Sequence, residues 1–593
     1  MCGIIGHIHR QRALDRAEFN RLRDLLYHRG PDGGGSRFLQ NDQVALGHRR
    51  LSIIDLSENG RQPMTNEDGT LWLTFNGEIY NYRNLREQLI RCGHRFHSDS
   101  DSEVLLHGYE EWGMTELLSR LHGMFAFGIW DDQKQELILA RDRFGIKPLV
   151  YYQDETRILF ASEIKCISEA RDISLKIDED ALADYFIYSY VPHPHTIWQK
   201  TRKLPPAHYL LWRKSEDKAE LRRYWDLPTG RETMPEAEAV RRTDELLRTA
   251  VRDHLVSDVP VGLFLSGGYD STALLMYAKD EQNCPATYSL GFADSDRSEH
   301  QQAADIARLF GSEHRERVMT GKAPVLPLLE KLTEVYDEPF AVSSMIPYYQ
   351  ISALAAQHQK VVLAGDGGDE AFGGYSWHRA DADYARQPAW KRWLRHAVRG
   401  YDRVTAERYY AFMTGVMREL KQSPVLSDAL QKNIAARGLW YYREAIGTTE
   451  PVKSFQYLDY RTFLLDCCLT RADLSSMAHS LEVRVPFLDH RIFEFTFGLQ
   501  KEVYFDREIK KKLLYHNLKK RVDKIILDAP KRGFSYQHLD KMTGKAYASL
   551  LRGGQLVRRG YLRPGFDLSK SGARVSFHLI MLEMWFRRYS PAA

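Results

Sequence analysis

The segment from Val259 to Ser271 reads VPVGLFLSGGYDS, and it decides the fold of the larger part of the chain. Its first seven residues, Val259–Leu265, form a short apolar run that is typical of a buried strand. The glycines that follow predict a turn, and Thr272–Ala278 has a helical pattern. The segment therefore predicts a strand, a glycine turn and a helix in succession.

The same alternation continues along the chain. Thr287–Phe292 has the pattern of a second strand, Glu299–Phe310 that of a helix, and Lys360–Ala364 that of a strand running into glycines. Strands that alternate with helices predict a parallel sheet, whose ligands bind at the carboxyl ends of the strands. From there to residue 593 the patterns are mostly helical, without repeats. We therefore predict an α/β domain with a helical C-terminal part.

The first 210 residues or so show strands and turns with short helices between them. Leu71–Phe75 and Met124–Trp130 are aromatic, β-prone runs bounded by glycine and aspartate. Buried strands of this kind predict stacked sheets. The polar segment 213–236, which contains two prolines and a glycine, is interpreted as a linker between two domains.

A helix is predicted directly after this linker. Thr233 is placed to cap the helix, and Pro235 suits its first turn. The apolar residues at helical spacing share one face, which we expect to be buried: Val240, Leu247, Val251 and Leu255.

The overall composition is that of a soluble enzyme, with 43% apolar and 27% charged residues and a net charge of +4. The isoelectric point near 8.5 gives no reason to expect a nucleic-acid partner. The basic run Arg507–Lys524 is interpreted as a solvated helix face. No apolar stretch reaches the roughly 18 residues that a membrane-spanning helix needs, so no membrane partner is expected.

The cysteines indicate a reducing compartment. Six cysteines over 593 residues, two of them adjacent at Cys467 and Cys468, do not form a disulfide framework. The first residues lack the charged and apolar regions of a signal peptide. We therefore expect reduced thiols and a cytoplasmic protein.

Cys2 is the first candidate for chemistry. If Met1 is removed, Cys2 carries both a free α-amine and a thiol, whose ordinary pKa values are about 8 and about 8.5. The amine can then act as general base for the thiol on the same residue. The pattern predicts an N-terminal nucleophile.

Four polar residues behind Cys2 match the needs of a glutamine side-chain amide under attack. Arg50 can bind the α-carboxylate, and Glu78 and Asp101 can bind the α-ammonium group. The Asn76 side chain and the Gly77 backbone N–H, placed on a tight turn, can stabilise an oxyanion. Alternatively, Asn-Gly-Glu merely turns a hairpin, which is the commonest use of Asn-Gly.

This ordered set of residues resembles the class II glutamine amidotransferase domain, and the match extends through Arg141–Pro148. The resemblance implies an N-terminal-nucleophile (Ntn) hydrolase fold, an αββα sandwich, over residues 2–212. It also implies site residues: Cys2 as nucleophile, Asn76 and Gly77 as the oxyanion hole, and Arg50, Ile53, Glu78 and Asp101 as the glutamine-binding residues.

A second candidate site follows the strands of the α/β domain. Ser266–Ser271 lacks the Walker spacing, yet its glycines allow backbone N–H groups to approach a phosphate at a helix start. Asp270 is a candidate Mg²⁺ ligand. Gly365–Glu370 places a second carboxylate cluster after another strand, and Lys531 is a candidate cation further along. The alternative is that each glycine–aspartate loop is only a turn.

The pairing of the two sites resembles the asparagine synthetase family, and Leu481–Asp489 matches a segment of that family. The resemblance implies an adenine-nucleotide alpha-hydrolase-like synthetase domain over residues 236–593. It also implies that ATP and Mg²⁺ activate a carboxylate as an acyl-adenylate, with ammonia crossing from the first site through a tunnel. The implied ATP- and pyrophosphate-binding residues are Phe264, Ser266, Gly267, Gly268, Asp270, Ser271, Leu290, Ala364 and Gly365, with Asp270 and Asp369 as metal ligands and Lys531 as catalytic cation.

The acceptor carboxylate is predicted less directly. Aspartate is the first choice, with Asp366 as a catalytic residue and Tyr375 completing the wall of its pocket. The segment Glu338–Ser344 offers no cation for the α-carboxylate, which keeps a sugar acid or a biosynthetic intermediate open as the acceptor. A sugar or phosphoribosyl amidotransferase and a non-catalytic binding protein are the alternatives from other classes. The oligomeric state stays open, and a homodimer is one state that the resemblance allows.

Overall fold

The computed structural model describes most of the chain: residues 1–216, 218–228, 232–281, 284–293, 299–320, 325–385, 388, 390, 405–413, 425–446, 451–523, 527, 536, 545–568 and 572–590. Lys531 lies outside these residues, so its predicted role stays a prediction. Within the described ranges, no helix has the length and apolar character needed to cross a lipid bilayer.

The N-terminal part forms two six-stranded antiparallel sheets. The first contains β1 (Gly3–His9), β2 (Gly33–Leu39), β3 (Val44–Arg50), β8 (Val150–Gln153), β9 (Arg157–Ala161) and β10 (Thr201–Lys203), in the order β10-β8-β9-β1-β3-β2. The second contains β4 (Met64–Thr65), β5 (Leu71–Ile79), β6 (Gly123–Asp131), β7 (Glu136–Arg141), β11 (His208–Arg213) and β12 (Glu220–Arg223), in the order β12-β11-β7-β6-β5-β4. Cys2 therefore directly precedes a central strand.

The two sheets pack face to face, and helices cover their outer faces. Apolar side chains from both sheets, among them Ile4 and Trp130, form a fully buried cluster between them. Helix α1 (Arg16–Asp24) lies on the first sheet; α2 (Tyr82–Arg91) and α3 (Glu103–Arg120) bury their apolar faces on the second. This arrangement confirms the predicted αββα sandwich.

The segment interpreted as a linker contains a strand. Glu220–Arg223 pairs in antiparallel register with β11, so that Leu221 lies opposite Leu210. This strand extends the second sheet because the outer edge of β11 still has backbone groups to pair. The helix α6 (Glu236–His254) begins as predicted, but Pro235 is its N-cap, and Thr233 does not cap it.

The C-terminal part is built on a five-stranded parallel sheet. Its strands are β13 (Val261–Phe264), β14 (Thr287–Phe292), β15 (His314–Met319), β16 (Val361–Leu363) and β17 (Glu482–Arg484), in the order β15-β14-β13-β16-β17. The strands β14 and β15 lie on one side of β13, and the later strands β16 and β17 lie on its other side. The carboxyl ends of β13 and β16 therefore border a crevice of the kind that binds ligands in such sheets.

Helices surround this sheet and form the end of the chain, which confirms the predicted α/β class with its helical C-terminal part. Smaller helices in the N-terminal part are α4 (Lys165–Ser168) and α5 (Glu179–Tyr188). Around the parallel sheet lie α7 (Tyr269–Asp280), α8 (His300–Phe310), α9 (Leu326–Val335), α10 (Met345–Ala355), α11 (Gly368–Phe372) and α12 (Ser376–Ala385). The described C-terminal helices are Thr405–Met413, Asp428–Arg437, Trp440–Glu444, Pro451–Leu458, the π-helical Asp459–Leu469, Thr470–Met477, His490–Gly498, Lys501–Tyr504, Lys512–Leu518, Lys545–Leu551, Gln555–Arg558 and Ala573–Tyr589.

Candidate active sites

The backbone of Cys2 is held in place beside Asn76. The Cys2 N–H donates to Asn76 Oδ1 at 2.9 Å, and the Cys2 carbonyl accepts from Arg29 Nε at 3.1 Å. Burial raises the pKa of the Cys2 thiol. The α-ammonium group of Met1, the Leu51 N–H and Arg50 act in the opposite direction and lower this pKa. Met1 is present and buried, so the free α-amine predicted for Cys2 requires its removal.

Asn76 and Gly77 lie in the middle of β5 and not on a turn, so both the predicted tight turn and the hairpin alternative are wrong. Their neighbours across the sheet are Ala126 and Phe125 of β6. A side chain on Gly77 would overlap the carbonyl oxygen of Met124, which explains the glycine. Asn76 Nδ2 is buried and has no hydrogen-bond partner among the described residues. This free donor, beside Cys2, fits an oxyanion.

The two predicted glutamine-binding carboxylates are buried next to charges from the C-terminal part. Glu78 Oε1 lies 3.3 Å from Arg484 Nη2, and Arg484 Nε donates to Glu482 Oε1 at 2.6 Å. Burial, followed by the charge of Glu482, raises the pKa of Glu78 well above its ordinary value. Asp101 accepts the Ile79 N–H at 2.8 Å, and burial raises its pKa to about 6.

Arg50 is the last residue of β3, and Ile53 belongs to the loop that follows it. Arg50 donates to the backbone carbonyls of Ser57, at 2.7 Å, and Asp55. Ile53 is buried, and its carbonyl accepts the Asp258 N–H at 3.0 Å. The loop that contains Ile53 is thus fixed to the C-terminal part.

Ion pairs join the N-terminal site to β17. The α-ammonium group of Met1 lies 2.8 Å from Glu482 Oε2, with both groups fully buried. Arg29 Nη1 lies 2.8 Å from Glu163 and 2.8 Å from Asp473, a residue of the helix Thr470–Met477. The first site is therefore completed by residues from the second half of the chain.

A cavity of ≈ 520 Å³ opens at the carboxyl ends of β13, β14 and β16. This volume is within the range of small-molecule sites. Every residue predicted to bind ATP or pyrophosphate lines the cavity: Phe264, Ser266, Gly267, Gly268, Asp270, Ser271, Leu290, Ala364 and Gly365, together with Asp366 and Asp369.

The phosphate loop is tightly folded at the start of α7. Gly267 has φ 82°, a conformation that favours glycine, and Gly268 is the N-cap of the helix. The hydroxyl oxygens of Ser266 and Ser271 lie 3.2 Å apart across the turn. Backbone N–H groups at this helix start can therefore face an anion, as predicted.

Lys511 is a residue that sequence reasoning missed. Its Nζ lies 2.6 and 2.5 Å from the two oxygens of Asp270 and 2.8 Å from Asp369 Oδ1. Lys511 is only 5% exposed, so the interpretation of Arg507–Lys524 as a solvated face is wrong at this position. Buried carboxylates need a cation, and that need outweighs the solvation of the lysine.

The two carboxylates fit a divalent cation because they converge on one point, where Lys511 Nζ lies. Oxygen ligands of this kind are those that Mg²⁺ prefers. Two glycines leave space for the side chains of Asp270, Asp369 and Lys511. A side chain on Gly374 would overlap Asp369 and Lys511, and one on Gly368 would lie 2.5 Å from Asp270.

The far wall of the cavity carries a partly buried ion pair. Asp366 Oδ1 lies 3.0 Å from Arg471 Nη2, and Asp366 Oδ2 accepts from the Tyr348 hydroxyl at 3.2 Å. Arg471 Nη1 donates to Ser344 Oγ at 2.8 Å. Glu338–Ser344 lacks a cation, as its sequence shows, but Arg471 supplies one from a distant helix. No local motif marked this arginine.

Glu370 and Tyr375 form a second polar pair in the same wall. The Tyr375 hydroxyl donates to Glu370 Oε1 at 2.8 Å. Burial, followed by the charge of Asp369, raises the pKa of Glu370 to about 8. Tyr375 thus lies where the sequence predicted it, next to a carboxyl group that is protonated near neutral pH.

An antiparallel sandwich with a cysteine site, joined to a parallel sheet with a phosphate loop, defines a two-site glutamine amidotransferase. Comparison with family models agrees: a glutamine amidotransferase domain matches residues 1–225, and an asparagine synthase domain matches residues 242–587. The chain belongs to the glutamine-hydrolysing asparagine synthetase family and is a carbon–nitrogen ligase of that type.

The sequence similarity to known proteins extends over most of the chain. Asparagine synthetase [glutamine-hydrolyzing] 1 of Bacillus subtilis is 33% identical, over 90% of this chain and 87% of the relative. Asparagine synthetase [glutamine-hydrolyzing] 3 of the same organism is 30% identical, over 99% of each. A putative asparagine synthetase [glutamine-hydrolyzing] of Mycobacterium bovis is 34% identical, over 87% of this chain and 83% of the relative.

Proposed function

We propose that this protein converts L-aspartate to L-asparagine, with glutamine as the nitrogen donor and an aspartyl-adenylate as the intermediate. ATP would leave as AMP and pyrophosphate, and glutamine as glutamate. The observation that carries the proposal is the partly buried pair of Asp366 and Arg471 in the cavity that also contains the phosphate loop.

At the first site, the Cys2 thiolate would attack the side-chain amide carbon of glutamine and release ammonia. Water would then cleave the thioester to glutamate. Asn76 is oriented for the oxyanion because its Oδ1 is occupied by the Cys2 N–H, which leaves Nδ2 as the donor. Arg50 would bind the α-carboxylate, and Glu78 and Asp101 the α-ammonium group.

At the second site, an aspartate carboxylate oxygen would attack the α-phosphorus of ATP, and pyrophosphate would leave. Ammonia would then attack the acyl carbon, and AMP would leave as the C–O bond breaks. Mg²⁺ held by Asp270 and Asp369 would neutralise charge on the phosphates. Lys511 Nζ, which lies between these two carboxylates, would move from that point toward the phosphates when Mg²⁺ binds, and Lys531 is proposed as a second cation.

Two features support the transfer of unprotonated ammonia inside the molecule. The ion pair of Arg484 with Glu78 brings β17 directly against the glutamine site. A second cavity lies between the two parts and is lined by residues of both, including Ile146, Leu149 and Leu469. We infer an ammonia tunnel along this interface. It would connect a glutaminase domain at residues 2–212 with a synthetase domain at residues 236–593. We also propose that the enzyme is cytoplasmic.

The Asp366–Arg471 pair supports an α-amino acid as the acceptor. An amino acid carries one ammonium and one carboxylate group, and this pair offers one partner for each. Arg471 Nε is buried without a partner among the described residues, so the guanidinium retains a donor for a ligand. An acid without the ammonium group would forgo the attraction to the Asp366 carboxylate.

The test is pyrophosphate release from ATP and Mg²⁺ with single acids: aspartate, then succinate, β-alanine and uronic acids. We expect release with aspartate at a kcat/KM at least tenfold above that with succinate, and asparagine as the product when glutamine is added. Release only with a uronic acid or another non-amino acid would promote the alternative acceptor. No release above background with saturating aspartate would rule out the proposed function.

A further inference from the structure

A cluster of imidazoles and carboxylates lies on the helical side of the second sheet. Glu67 follows β4, His94 lies in the connection between α2 and α3, and His107 and Glu110 stand one turn apart on α3. One ligand atom from each of the four lies within 4.8 Å of all the others. His107 is buried, His94 is partly accessible, and Glu67 and Glu110 are exposed.

The spacing within the cluster is that of ligands around one metal ion. His107 Nδ1 lies 3.4 Å from Glu67 Oε2 and 3.2 Å from Glu110 Oε2. His94 Nδ1 lies 4.0 Å from the same oxygen of Glu110. Tetrahedral zinc with bonds of about 2.0–2.1 Å requires ligand atoms about 3.3–3.5 Å apart. The partly exposed His94 ring would have to rotate to bring the fourth ligand to that distance.

The outer oxygens of both carboxylates are already fixed by the protein. Glu67 Oε1 accepts the Arg95 backbone N–H at 3.1 Å, and Glu110 Oε1 accepts Asn66 Nδ2 at 2.8 Å. Each carboxylate therefore presents its Oε2 to the centre of the cluster.

Both imidazoles are held in the same manner, with Nδ1 inward and Nε2 against a carboxylate. His107 Nε2 lies 3.5 Å from Glu103 Oε1, and His94 Nε2 lies 3.3 Å from Glu111 Oε2. Glu103 is fixed by the backbone N–H groups of His97 and Ser98, each at 2.8 Å. A carboxylate hydrogen-bonded to the outer nitrogen fixes the tautomer of a metal-binding histidine, and His94 has such a partner in Glu111.

We propose that Glu67, His94, His107 and Glu110 bind a divalent transition-metal ion, with Zn²⁺ as the preferred ion. Two imidazole nitrogens and two carboxylate oxygens form a closed, four-ligand set of the structural type. The ion would join the turn after β4, the α2–α3 connection and α3. Asp101 of the glutamine site lies in that connection, so the metal would stabilise the segment that positions it.

Glu67 and Glu110 both face His107, and the His94 ring lies beside it with ring centroids 5.0 Å apart. One dication satisfies both carboxylates and accepts both neutral imidazoles. Four carboxylates surround the two rings, so a positive ion also relieves their mutual repulsion.

Zinc titration of the full-length protein tests the proposal. Protein stripped with EDTA and dialysed is titrated with Zn²⁺ in competition with a chromophoric chelator, and its metal content is then measured. Glu67→Gln and His94→Asn each remove one ligand at an accessible position. His97→Asn is the matched control, because His97 is an exposed histidine of the same connection outside the cluster. Cys2 and Asp270 are present in all four proteins, so their zinc binding cancels in the comparison.

We expect one zinc ion per chain that is bound at least tenfold more weakly by Glu67→Gln and His94→Asn than by the wild type and His97→Asn. Zn²⁺ should also raise the Tm of the wild type and the control more than that of the two ligand variants. With Co²⁺, the site should give tetrahedral visible absorption without a thiolate charge-transfer band. Equal zinc affinity in all four proteins, or a site whose cobalt spectrum shows thiolate ligation, would overturn the proposal.

Discussion

Arg471 Nη2 lies 3.0 Å from Asp366 Oδ1, which connects the helix Thr470–Met477 to the loop after β16. The pair places a cation and an anion in the wall of the nucleotide cavity, at positions 105 residues apart in the chain. The cation that an α-carboxylate requires is therefore present, although it comes from outside the segment Glu338–Ser344.

Replacement of this arginine should weaken aspartate binding. In Arg471→Gln, the kcat/KM for aspartate should fall by about tenfold or more, since a hydrogen bond to a charged group contributes about 1.5–3 kcal/mol. Arg443→Gln, at an exposed arginine paired with Glu407, should change little. Steady-state pyrophosphate release measures both. An unchanged KM for aspartate in Arg471→Gln would show that the pair does not bind the acceptor.

Replacement of Lys511 should stop adenylation and spare glutamine hydrolysis. Lys511→Met removes the cation between Asp270 and Asp369, and a loss of about 10²–10³-fold in pyrophosphate release is expected. The adjacent Lys512, which pairs with Glu236 at 2.8 Å, provides the control Lys512→Met. Equal losses in the two variants, or an equal loss of glutaminase activity, would contradict the assignment.

Glutamine hydrolysis should weaken as the pH falls through about 6. Burial raises the pKa of Asp101 to about 6, and only its ionised form attracts the α-ammonium group of glutamine. About nine-tenths of this carboxyl is then ionised at pH 7 and about one-tenth at pH 5. The kcat/KM for glutamine between pH 5 and 8 should therefore show an inflection near 6. Asp101→Asn should have a lower kcat/KM and lack this inflection; a profile identical in shape to the wild type would argue against Asp101.

The two nitrogen sources should separate the two sites. In Cys2→Ala, glutamine-dependent amide synthesis should fall by at least about 10³-fold, because the nucleophile is lost. Synthesis from ammonium salts should persist, since the second site does not use the thiol. Amide product is measured with each source in turn. Equal loss with both sources would mean that Cys2 supports the fold as a whole.

Much of the fold follows from local patterns. Thr287–Phe292 is a strand with the predicted ends, and the apolar face of α6 at Val240, Leu247 and Val251 is buried as its periodicity indicates. These elements are predictable because burial selects residues at period 2 or 3.6 within one segment. β15 and β17 were not predicted: β15 is half-exposed, and β17 has three residues whose strand pairing depends on a distant neighbour.

The residues of the two candidate sites could likewise be predicted only where a local pattern marks them. Asn76-Gly77 has the sequence of a turn, yet close packing against β6 places it inside a strand. Lys511 lies in a basic run that favours solvent, and only the carboxylates of Asp270 and Asp369 account for its burial. Arg471 carries no motif at all. Residues were predictable where a local motif surrounds them, and not where their partners come from remote segments.

The most direct test of the proposed reaction follows a carboxylate oxygen atom from aspartate to AMP. The wild-type enzyme is supplied with aspartate labelled with ¹⁸O in its carboxylates, ATP, Mg²⁺ and glutamine, and the products are analysed by mass spectrometry. An aspartyl-adenylate intermediate predicts asparagine together with AMP that carries one ¹⁸O atom. The attacking carboxylate oxygen stays on the α-phosphorus when ammonia displaces AMP. Label in inorganic phosphate with formation of ADP, or no asparagine with unlabelled AMP, would contradict it.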